Sequence, residues 1–136
     1  SLMVSLSNTD ADFIVKLIDV LPADTAHNAS NGYPMGNYEM LVRAEVMRGK
    51  FRNSFEKPEP FVPGKPTLVK YKLPDIAHTF LKGHKLMVQI QSTWFPLTDR
   101  NPQQFLDINS AKDSDFVKET IHIYHNSSMI VLPVIK

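Results

Sequence analysis

Cysteine is absent from the 136 residues, which excludes disulfides and thiolate metal sites and leaves packing and hydrogen bonding to hold the fold. An excess of charge of one sign is missing too. With 15 basic and 14 acidic residues the net charge is +1, so no field draws this chain to nucleic acid or to anionic lipid. No apolar run is long enough to span a bilayer, and no charged-then-apolar leader is present, so neither a membrane span nor a signal peptide is read in this stretch. Glycine is scarce, at five residues. None of them builds a Gly-x-Ser-x-Gly turn, the elbow on which an α/β-hydrolase sets its nucleophile.

Proline, by contrast, occurs ten times, and each interior proline would remove a helix donor and kink the helix. The apolar residues fall in short alternating runs that suit strands. Asp12 to Leu21 predicts a strand with one fully buried face, ended by Pro22. Pro22 to Gly36 lacks periodicity and reads as a surface loop. Tyr38 to Arg48 resumes a half-buried pattern with Met40, Val42, Ala44 and Val46 inward. Lys57 to Pro66, with four prolines, is an extended connection that no central strand could use. Val69, Tyr71 and Leu73 alternate with Lys70 and Lys72 as a further strand ended by Pro74, and Asp75 to Phe80 is expected to form one helical turn. Gly83-His84 is a structural turn leading into the clearest strand, Leu86 to Gln91. After a loop from Pro96 to about Ser114, Val117 to His125 and Ile130 to Ile135 complete seven or eight strands. The expected class is an all-β antiparallel β-sandwich, and a chain of this length forms one core burying roughly two-thirds of its unfolded surface.

Candidate chemistry is thin. His122 and His125, three apart on a strand, face opposite sides and cannot share a metal. His84 is expected to hydrogen-bond a loop carbonyl. Asp10 and Asp12 are too few for a calcium site and read as a solvated strand start. Lys70, Lys72, Lys82 and Lys85 read as wet strand faces that protect edges. No catalytic residue, metal ligand or cofactor site is assigned. Trp94-Phe95-Pro96 is the one aromatic cluster on a rigid turn, and Asp99, Arg100 and Asn101 follow it as groups able to clamp a loop by charge-assisted hydrogen bonds.

Four segments in order carry a resemblance: 12–20 (DFIVKLIDV), 41–52 (LVRAEVMRGKFR) with Pro63-Gly64-Lys65 after it, 80–101 (FLKGHKLMVQIQSTWFPLTDRN), and 127–134 (SSMIVLPV). Together they resemble the C-terminal domain of the X-Pro dipeptidyl-peptidase, cocaine esterase and glutaryl cephalosporin acylase group of serine hydrolases. Where that group usually continues through an asparagine-rich, glycine-containing loop, this chain has Pro102 to Ile108, which is closer to its acylase-like members.

The resemblance implies a jelly roll of the galactose-binding-domain-like kind, occupying residues 3–136 as a single domain; Ser1-Leu2 reads, from the sequence itself, as an expression scar. It implies a non-catalytic accessory domain that packs against its own α/β-hydrolase and cap domains. The substrate, a small ester or amide, would bind mainly elsewhere. Trp94, Phe95, Pro96, Asp99, Arg100 and Asn101 would then shape the domain interface, and a bare apolar patch could drive homo-oligomer formation in the isolated piece. A periplasmic or secreted parent fits, and so does a cytoplasmic one. The alternative is a freestanding carbohydrate-binding β-sandwich that stacks sugars on Trp94.

Overall fold

The computed structural model describes residues 1–25 and 32–134. Six strands occur among the described residues: β1 (Leu2–Leu6), β2 (Asp12–Val20), β3 (Glu39–Arg48), β4 (Thr67–Val69), β5 (Lys85–Gln91) and β6 (Ile121–Ile123). Among the described residues the only helical pieces are three-residue 3-10 turns. The strands form two three-stranded sheets of order β4-β1-β6 and β3-β2-β5. The chain is therefore all-β with antiparallel sheets, the class expected, consistent with a β-sandwich.

The chain divides into two compact units, residues 1–13, 47–71 and 92–136, and residues 14–46 and 72–91. In the first, β1 is the central strand: Leu2, Val4 and Leu6 oppose Val69, Thr67, Ile123 and Ile121. These even positions are buried together with Ala11, Phe13, Met47, Phe61 and Val69, and the Phe13 and Phe61 rings pack tilted at 6.2 Å. Gly49 sits where a β-carbon would lie 2.6 Å from both the Ala11 carbonyl oxygen and the Phe61 ring. Its N–H donates to that same carbonyl at 2.8 Å, so only glycine allows this approach. In the second unit β2 pairs with β5 from Ile14↔Gln91 to Val20↔Lys85, burying Ile14, Val15, Leu17 and Ile18.

Several expectations need correction. β2 is buried on both faces rather than one. Along β3 the inward set Met40, Val42, Ala44 and Val46 is half-buried, and the fully buried residue is Met47, of the opposite parity. The strand expected around Val69 to Leu73 lies earlier and stops at Val69, because β1 is short and offers partners only for Thr67, Leu68 and Val69. Val117 to His125 contracts to Ile121–Ile123 for the same reason. Residues 75–80 form no helical turn. The final strand, Ile130 to Ile135, is absent over its described part, 130–134, and its last residue lies outside the described residues. The Pro22–Gly36 loop likewise lies partly outside them, as does His27. Strand β1 was not anticipated, although the alternation of Leu2, Val4 and Leu6 with Met3 and Ser5 is a signal for it.

Candidate functional site

The segment 94–101 belongs to the first unit and leaves its aromatic cluster mostly at the surface. Trp94 is half-buried, and its carbonyl accepts from the N–H of Thr98 at 3.1 Å, closing a turn around the cis Phe95–Pro96 bond. Phe95 is 64% exposed and Leu97 67%. The three polar residues that follow go to three different environments. Asp99 accepts on its carbonyl from Arg48 Nη2 at 3.3 Å, and its carboxylate lies 3.9 Å from that nitrogen. The Arg100 guanidinium lies 5.8 Å from the Phe95 ring centroid and 5.3 Å from that of Phe116, within cation–π range. Asn101 turns inward and is 7% exposed.

Asn101 meets the two carboxylates read as a solvated strand start. Asp10 and Asp12 are each 1% exposed, so that expectation is overturned. The Asn101 amide nitrogen donates to Asp12 Oδ1 at 2.8 Å and to Asp10 Oδ2 at 3.2 Å, and its oxygen accepts from the Gln103 N–H at 2.7 Å. The other oxygen of Asp10 accepts from the N–H groups of Ala11 and Lys50, both at 3.0 Å, and Arg48 Nε stands 3.9 Å from Asp12. Burial pushes the Asp12 carboxyl up to about 6, against the hydrogen bond from Asn101 and the charge of Arg48, with the neighbouring Asp10 adding to the rise. Burial also raises Asp10, against Asn101 and Lys50. This arrangement ties a loop to a strand start.

The second unit holds another buried carboxylate. Asp19, on β2, accepts from His78 Nε2 at 2.9 Å and from His84 Nδ1 at 2.8 Å. His84 thus bonds a carboxylate and not the expected carbonyl. Gly83 places it there by adopting φ +89, with the His84 N–H closing the turn on Leu81 at 3.1 Å. Burial of Asp19 would raise its pKa, but the hydrogen bonds and charges of the two imidazoles prevail and hold it below the ordinary carboxylate value. An Asp–His pair resembles part of a catalytic triad, yet no hydroxyl hydrogen-bonds either imidazole among the described residues, so the third member is wanting. Nor does any group of three or more metal-ligating side chains gather among the described residues. Asp10, Asp12, Asp19 and His78 were the partners that sequence reading missed, since their contacts join residues 40 to 91 positions apart.

With that geometry in view, comparison with known proteins is decisive on ancestry. Residues 1–129 match the family of X-Pro dipeptidyl-peptidase C-terminal non-catalytic domains. The chain belongs to that family. Its relatives include the cocaine esterase of Rhodococcus sp. (strain MB1 Bresler), 30% identical over 99% of this chain and 22% of the esterase. An α-amino acid ester hydrolase structure superposes with a TM-score of 0.83 at 42% identity, over 91% of this chain and 20% of the hydrolase. An aminopeptidase from a marine sediment archaeon, Thaumarchaeota archaeon, gives 0.81 at 41%, over 90% and 20%. The chain thus spans about one fifth of the length of the hydrolases it matches.

Proposed function

We propose that this chain serves as the accessory C-terminal domain of an α/β-hydrolase-type serine hydrolase acting on an ester or amide. In this reading residues 3–136 are one domain of jelly-roll type, packed against the catalytic and cap domains. It supplies no member of the triad, and the small substrate binds mainly elsewhere. The observation that carries the reading is the match of nearly the whole chain to about one fifth of proteins named as an esterase, an amino acid ester hydrolase and an aminopeptidase. Within the domain, Trp94, Phe95, Pro96, Asp99, Arg100 and Asn101 act as a clamp, with Asn101 and Arg48 holding the loop from below while Phe95 and Arg100 face outward. Gly83 and His84 act as a structural turn locked on Asp19.

A fluorophosphonate probe, which labels activated serines, tests this. The expected result is labelling of the native full-length polypeptide and none of the 136-residue chain by itself. A native polypeptide of this length only, or one that stays unlabelled, would overturn the reading.

A further inference from the structure

Cationic side chains near the 94–101 segment are mostly satisfied within the first unit. Arg48 reaches Asp99 and Asp12. Lys50 donates to the Leu106 carbonyl at 3.0 Å, and Arg52 donates to the carbonyls of Gly49, Glu59 and Pro60. Arg100 differs. Its guanidinium lies near the Phe95 and Phe116 rings, yet among the described residues no carboxylate or carbonyl takes its donors; the carboxylate of the adjacent acid, Asp99, is largely exposed and stands 3.9 Å from Arg48.

Two rings within cation–π range restrict a planar guanidinium, so part of the entropy of ordering it is lost before any partner arrives. The same rings are exposed, Phe95 at 64% and Phe116 at 37%, and an arginine set among exposed aromatics is the composition of an interface hot spot. The hollow beside it is lined by Asp99, Arg100, Ile108, Asn109 and Phe116 and has a volume of about 280 Å³. That is below the usual size of a small-molecule pocket, about 300–1,000 Å³, and ample for one carboxylate side chain. A carboxylate is the group whose two oxygens match the guanidinium fork and its charge.

We infer that Arg100, held between Phe95 and Phe116, is the docking point for an Asp or Glu side chain of the catalytic domain. This rests on the accessory-domain reading above. Closure of the two rings around the pair would exclude water and strengthen the attraction.

The test uses the full-length polypeptide, with Arg100→Glu to reverse the charge and Arg100→Gln to remove it at similar bulk. Two quantities are read: fluorophosphonate labelling, and the rate at which limited proteolysis separates the domain from the rest. Wild-type labelling combined with separation about tenfold faster or more in Arg100→Glu, and a smaller increase in Arg100→Gln, is expected for a hot-spot charge. Wild-type separation rates in both variants of a labelled enzyme overturn the docking inference and leave the accessory-domain reading standing. Absence of labelling in the wild-type polypeptide overturns that reading, and the inference falls with it.

Discussion

Two carboxylates, Asp10 and Asp12, share the single amide of Asn101 in the interior of the first unit. Truncating Asn101→Ala leaves both without that donor, and a loss of about 2–4 kcal/mol is expected in urea unfolding, as for hydrogen bonds to buried charged groups. The pH dependence has a definite sign. Asp12 titrates higher when folded, at about 6 against an ordinary 3.8, so its stabilising contribution is complete below pH 3.8 and is lost as pH rises through 6. Carboxyl NMR of Asp12 should therefore show a midpoint near 6, and Asp12→Asn should flatten the slope of stability between about pH 4 and 6. Asp19 has the opposite sign. Its pKa is lowered by His78 and His84, so its contribution is present above the ordinary value and persists below it, disappearing only as pH falls through the depressed folded value. Asp19→Ala strands two imidazoles that are mostly buried, and a cost of about 1–3 kcal/mol should appear in the same unfolding assay.

At the scale of elements, the strand β1 and the connection around Gly49 bear most on the first unit. Gly49→Ala would drive a methyl group into the Ala11 carbonyl and the Phe61 ring. Thermal unfolding should register a loss of about 1–3 kcal/mol for this overpacking. The longer strands were legible because β2, β3 and β5 run seven to ten residues, long enough for alternation and flanking prolines to bound them. The short ones were not: β4 and β6 have three residues each, and their extent is set by where β1 can pair with them. The apolar stretch 130–134 reads as a strand from its β-branched content, yet propensity makes a strand only where a partner supplies the ladder.

At the scale of the whole molecule, the surface keeps large apolar side chains in water, among them Phe55, Val131 and Val134, each 81% exposed. Isolated exposed apolar groups are ordinary, but in a domain proposed to pack against others they are expected to be covered. Sedimentation velocity of the 136-residue chain should show concentration-dependent self-association, and a strictly monomeric species at all concentrations would count against that packing.

The family came from a resemblance carried by four ordered segments; composition and periodicity by themselves determined the all-β class and the absence of disulfides and of a nucleophile elbow. These follow from local physics: proline excludes helix, alternation selects a strand with distinct faces, and a missing residue type excludes its chemistry. Tertiary structure alone decided which polar residues are buried. Asp10, Asp12 and Asp19 look like solvated positions on any local scale, and they lie in the interior because Asn101, His78 and His84 arrive from distant parts of the chain to satisfy them. The same applies to the Asp99–Arg100–Asn101 tripeptide, whose neighbours in sequence have different partners in space. Burial of a charge depends on what the fold brings to it, and that information is not contained in a residue's immediate neighbours.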